Sequence, residues 1–84
     1  MRSRRGDRLL TAFGRRLRAS RLVAGYEDAA DFARDLGLDN ARYRRYERGE
    51  VMPPPEVLED ICKLTARSLD FLLLGKNAAP NTDD

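Results

Sequence analysis

The sequence has no histidine and a single cysteine, Cys62. A lone thiol cannot close an internal disulfide, and no metal cluster can be assembled around it, so neither a metal nor a cofactor is expected. Cys62 is read as a small buried apolar residue. Long apolar runs are also missing. No stretch approaches the roughly 20 residues that span a bilayer. The charged start Met1-Arg2-Ser3-Arg4-Arg5 is not followed by the apolar stretch of a secretion signal. The expected location is the cytoplasm, with no membrane partner. Catalytic apparatus is equally scarce: there is no Gly-rich phosphate loop, no credible thiol nucleophile and no spaced carboxylate pair. With 84 residues there is little room for a substrate cavity. These absences argue against an enzyme.

What is present is charge, unevenly placed. Residues 1–50 carry 13 Arg against 8 Asp/Glu, a net +5, and residues 51–84 carry 3 Lys/Arg against 6 Asp/Glu, a net −3. One half is suited to a polyanion and the other is not. All but two of the cations are arginine, whose planar fork matches phosphates and guanine edges.

The chain reads as one domain, residues 7–76, between a flexible basic arm (1–6) and a disordered tail (77–84). The arm's Arg2, Arg4 and Arg5 are either a minor-groove arm or a plain tail. Helical spacing of Leu10, Phe13 and Leu17 predicts a first helix from Asp7 or Thr11 to Ala24, closed by Gly25, with Arg15, Arg16 and Arg18 off its apolar stripe. Asp28 is placed to cap a second helix whose apolar face is Ala29, Phe32, Ala33 and Leu36. Asp39 caps a third, Asn40 to about Arg48, with Tyr43 and Tyr46 inward. Val51-Met52-Pro53-Pro54-Pro55 forms a rigid link, its last proline opening a fourth helix that ends near Thr65. There Leu58, Ile61, Cys62 and Thr65 are expected to face inward. Ser68 caps a short fifth helix, Leu69 to Leu74, closed by Gly75. No period-two stretch is long enough for a strand. The expected fold is an all-α, compact five-helix bundle.

The informative segment is Phe32 to Glu47, FARDLGLDNARYRRYE. Two helices joined by a three-residue turn must cross closely, which needs a small residue at the contact and a residue tolerant of positive φ at the turn. Ala33 and Gly37 supply both, and Phe32, Leu36, Leu38, Tyr43 and Tyr46 supply the apolar pegs. These seven positions fit a helix-turn-helix together. The third helix then shows Asn40, Ala41, Arg42, Arg44, Arg45 and Arg48 to solvent. Such a helix lays its N-terminal half in the major groove of duplex DNA. Asn40 suits adenine, Ala41 suits the thymine methyl group, and Arg44 or Arg45 suits guanine. Arg42 and Arg48 suit backbone phosphates. The bland alternative is a solvated charged face.

On Phe13-Gly14-x-x-Leu17-Arg18-x-x-Arg21, Phe32-Ala33-x-x-Leu36-Gly37-Leu38, Tyr43-x-x-Tyr46-Glu47-x-Gly49, Pro53, Ile61 and Ser68-Leu69-Asp70-x-Leu72-Leu73-x-Gly75, the chain resembles the Cro/C1-type (xenobiotic-response-element-like) helix-turn-helix regulators of bacteria and phages. The resemblance covers Phe13 to Gly75. It implies a five-helix bundle of the lambda-repressor-like DNA-binding type. It also implies an ion pair between Arg21 and Glu47, whose loss would cost about 3–5 kcal/mol if the pair is buried. Most relatives place Gln at the start of the second helix, where Ala29 stands here; Gly25-Tyr26-Glu27-Asp28 is one residue longer than usual, and Ser20 replaces a larger apolar residue.

The resulting expectation is a transcriptional regulator, a repressor, reading duplex DNA as a homodimer. Phe71 and Leu74 are the candidate dimer contacts, against the alternative of a partly exposed edge. The competing expectation is a protein-interaction module, such as an antitoxin-like protein with a toxin or effector-domain partner, built on the same bundle.

Overall fold

The computed structural model describes residues 4–76, with side chains from Gly6 onward. It contains five helices, α1 (Arg4–Val23), α2 (Ala29–Asp35), α3 (Asn40–Glu47), α4 (Pro55–Thr65) and α5 (Leu69–Leu74). There is no strand among the described residues. The fold is the all-α bundle that the apolar spacing predicts. Arg2 of the basic arm, and the tail 77–84, lie outside the described residues.

Local chemistry sets most of the helix limits. The Asp28 carboxylate accepts the Ala30 N–H at 2.9 Å, the Asp39 carboxylate accepts the Arg42 N–H at 2.8 Å, and the Ser68 hydroxyl accepts the Phe71 N–H at 3.0 Å. Each cap contributes about 1 kcal/mol. No side chain caps α4; Pro55 opens it with φ already preset for a helix. α2 and α3 end in the same way. The N–H of Leu38 reaches the Ala33 carbonyl (2.9 Å) and that of Gly37 the Arg34 carbonyl (3.0 Å). In α3 the N–H of Glu50 reaches Arg45 (3.0 Å) and that of Gly49 reaches Tyr46 (3.1 Å). This double closure requires a left-handed residue, supplied by Gly37 (φ 76°) and Gly49 (φ 72°).

α1 packs against α3, α4 and α5, α2 against α3, and α4 against α5. The fully buried large side chains are Phe13, Leu17, Phe32, Tyr43, Ile61 and Leu72, so every helix contributes at least one. Tyr26, Phe32, Tyr43 and Tyr46 form an edge-to-face series with ring centroids 4.9, 5.3 and 6.4 Å apart. Such pairs contribute roughly 0.5–1.5 kcal/mol each beyond burial.

Four details depart from the sequence reading. α1 begins at Arg4 rather than at Asp7 or Thr11. Gly6 costs a helix only about 1 kcal/mol, and Asp7 in the first turn suits the positive end of the helix dipole. In α4 the buried residues are Val57, Ile61 and Thr65, while Leu58 and Cys62 are half-buried: the helix is rotated toward Val57. In α5, where the sequence places Leu69, Leu72 and Leu73 toward the core, only Leu72 is fully buried. Leu69 is exposed and Phe71 is half-buried beneath the Arg67 guanidinium, 5.0 Å from its ring centroid. The Arg16 guanidinium holds the C-terminal end of α5. It donates to the carbonyls of Leu72 (3.3 Å) and Leu73 (3.1 Å), satisfying the helix's free C-terminal end. Finally, four residues, Leu36 to Asp39, separate α2 from α3.

Candidate nucleic-acid interface

The α2–turn–α3 unit is built from the residues singled out above. Phe32, Ala33, Leu36, Tyr43 and Tyr46 are buried, Leu38 is half-buried, and Gly37 stands exposed at the turn. Ala33 is only 1% exposed, a helix contact with no room for a larger side chain.

With Tyr43 and Tyr46 inward, helical geometry puts Ala41, Arg44, Arg45 and Arg48 on the opposite side, with Asn40 at its N-terminal edge. All are exposed. Arg42 is exposed but leans to the flank, where its Nε donates to the Tyr46 hydroxyl at 3.1 Å. The arginines are not equivalent. Arg44 has no carboxylate partner among the described residues. Arg45 and Arg48 share Glu50: the Arg45 Nε lies 3.3 Å from one carboxylate oxygen and the Arg48 Nε 2.5 Å from the other. The hydrogen bond from Arg48 holds the Glu50 carboxyl below the usual glutamate range and raises the Arg48 guanidinium in turn.

α3 is tied to α1 by a buried charged cluster. The Arg21 Nε donates to Glu47 Oε2 at 2.6 Å and its Nη2 to Oε1 at 3.4 Å, with the side chains 5% and 10% exposed. The Arg21 Nη1 donates to the carbonyls of Tyr26 (2.6 Å) and Glu27 (3.1 Å), which secures the α1–α2 loop. The Tyr43 hydroxyl donates to the same Oε2 of Glu47 at 2.5 Å. Burial alone would lower the Arg21 pKa, but the bond and charge of Glu47 outweigh it and the net shift is upward. Burial, then the Glu47 carboxylate, pushes the Tyr43 phenol far above its usual value.

Three residues of this region were not assigned a role from sequence. Arg18 of α1 is exposed and, with Arg44, lines an open groove of about 400 Å³ that also touches Arg21, Glu27, Asp28, Ala29 and Glu47. Its one signal in the sequence is its place off the apolar stripe. Arg16 had the same signal, and the structure takes it to the end of α5. Glu50 had none. Of the dimer candidates, Phe71 packs against the core, whereas Leu74 is 53% exposed. No described helix is long and apolar enough to cross a membrane.

No curated protein and no solved structure matches the chain. A protein family described as a helix-turn-helix domain matches residues 12–70. That span takes in most of α1, all of α2, α3 and α4, and the start of α5. The chain belongs to this helix-turn-helix domain family.

Proposed function

We propose that the protein is a sequence-specific duplex-DNA-binding transcriptional regulator of the Cro/C1 type, a repressor that inserts α3 into the major groove as a homodimer. The observation that carries this reading is the exposed surface of α3 and its C-cap, where Arg44, Arg45 and Arg48 face outward and Arg42 stands at the flank, on a helix pinned from behind by the Arg21–Glu47–Tyr43 cluster. So dense a set of like charges is relieved by a polyanion. Asn40 and Ala41, at the N-terminal end of α3, are assigned to adenine and to a thymine methyl group. Arg44, with its whole fork uncommitted, is assigned to guanine O6 and N7. Arg45 is the second candidate for that contact. Arg48, and Arg42 from the flank, are assigned to phosphates, joined by Arg18 across the groove from Arg44.

A test is duplex binding as a function of salt, for the wild type and for Arg44→Ala with Arg45→Ala. The log of the affinity should fall by about 0.9 per log unit of salt for each phosphate neutralised. The double variant, altered only at exposed positions, should remain folded and bind far more weakly. Undiminished binding by the variant would remove α3 as the reading surface.

The second reading is a protein-interaction module, antitoxin-like, with a toxin or effector domain as partner. Ala29, which offers no amide to DNA, and the partial neutralisation of Arg45 and Arg48 by Glu50 favour it. Failure of the wild type to bind any duplex at low salt would decide for it.

A further inference from the structure

Glu50 is the only carboxylate described in contact with the exposed arginines of α3, and both of its contacts are made to Nε. The Nη groups of Arg45 and Arg48 make no hydrogen bond among the described residues. The acid is not there by the chance drift of a loop. Its own N–H closes α3 on the Arg45 carbonyl, and Gly49 beside it lies so close to α1 that a Cβ would stand 2.8 Å from the Thr11 Cα and 2.9 Å from the Leu10 carbonyl oxygen. The main chain at Glu50 is therefore held on both sides, and its side chain returns over the last turn of α3. Both ion pairs are half-exposed, with side chains 44–54% accessible. Pairs of that kind add little to stability, so the arrangement is better understood through what it does to the reading face.

We propose that Glu50 is a specificity-determining residue: its carboxylate grips the Nε edges of Arg45 and Arg48, which leaves the terminal amino groups of Arg45 for a base and those of Arg48 for one fixed phosphate, and withholds charge from indiscriminate phosphate contacts. This rests on the DNA-binding reading above. An arginine with its Nε engaged loses rotamer freedom and presents its outer edge in a narrow range of directions, which improves discrimination between bases. The same carboxylate repels the duplex backbone and offsets one positive charge, which weakens binding to random sequence, where affinity follows the number of phosphates neutralised. Both effects widen the gap between specific and random duplexes.

The experiment uses the full chain, a duplex selected from random oligonucleotides by the wild type, and a random-sequence duplex pool. In Glu50→Gln, binding to the pool should tighten roughly threefold to tenfold at moderate salt, with a salt slope steeper by about 0.9. The ratio of selected to random affinity should fall by about tenfold. Glu50→Asp keeps the charge but is one methylene too short to span both arginines. It should lose the ratio while retaining the wild-type salt slope. Nitrogen NMR of the arginine Nε–H groups in the free protein should show Arg45 and Arg48 protected from exchange in the wild type and unprotected in Glu50→Gln. Wild-type affinities and ratio in both variants, with the selected duplex still bound, would overturn the role of Glu50 and leave the DNA reading standing. No duplex binding by the wild type would overturn both.

Discussion

Gly14 of α1 lies directly against the main-chain carbonyl of Glu47 in α3, with the Tyr46 carbonyl beside it, and a methyl group on Gly14 would overlap both oxygens. The two helices touch backbone to backbone there, which brings the Arg21 fork within reach of the Glu47 carboxylate. The depth at which α3 sits, and so how far its arginines project, is set at this contact.

Gly14→Ala is expected to destabilise the protein. Alanine improves helix propensity by about 1 kcal/mol, but overpacking costs roughly 1–3 kcal/mol. The obstacle is main chain, which cannot swing aside as a side chain can. A net loss of up to about 2 kcal/mol should appear as a lower urea midpoint. A midpoint at or above that of the wild type would show that α1 and α3 part without penalty.

Stability should decline in alkali through Tyr43. The ordinary tyrosine pKa is about 10. In the folded state burial and the Glu47 carboxylate raise that of Tyr43 well above this. Below about pH 10 both folded and unfolded chains keep the proton and the contribution is complete. Above it the unfolded chain ionises while the folded one resists, so stability falls as pH rises. Tyr26, raised chiefly by its bond to Asp35, acts in the same direction from an exposed site. Tyr43→Phe should lose about 1–3 kcal/mol near neutrality, because Glu47 loses a buried donor. It should also show a shallower decline in alkali. Urea titrations at a series of pH values compare the two slopes, and parallel curves would exclude Tyr43 as the source.

Ala66 closes α4 in the left-handed region, φ 56°, without the help of a glycine. That conformation costs a residue with a Cβ roughly 1–2 kcal/mol, and the added freedom of glycine in the unfolded chain returns about 0.4–1 kcal/mol. Ala66→Gly should therefore raise stability by up to about 1.5 kcal/mol, read as a higher thermal midpoint with unchanged duplex affinity.

The homodimer proposed above is best probed at Leu74. It is 53% exposed, while Phe71 is half-buried and packs against the core. Leu74→Glu should reduce the sedimentation mass to that of a monomer and leave the helical circular dichroism intact. Phe71→Glu should lower stability as well. An unchanged mass in a folded Leu74→Glu protein would move the interface away from α5.

Most helix limits, though not the start of α1 or the length of the α2–α3 turn, were legible in the amino-acid order because their causes are local. Asp28, Asp39 and Ser68 cap N–H groups two or three residues away, Pro55 presets its own φ, and Gly37 and Gly49 answer for carbonyls within the preceding turn. The apolar spacing of α2 and α3 likewise marked Phe32, Tyr43 and Tyr46 as core. What chain order left undecided depended on distances between segments remote in sequence. Only folding could choose Val57 over Leu58, carry Arg16 across 56 residues to the carbonyl of Leu72, set Arg18 beside Arg44, and aim Glu50 back onto Arg45 and Arg48. Hydrogen bonds within a turn are settled by neighbouring residues, whereas the rotation of a helix and the partner of a long flexible cation are settled by whichever close packing the whole bundle reaches.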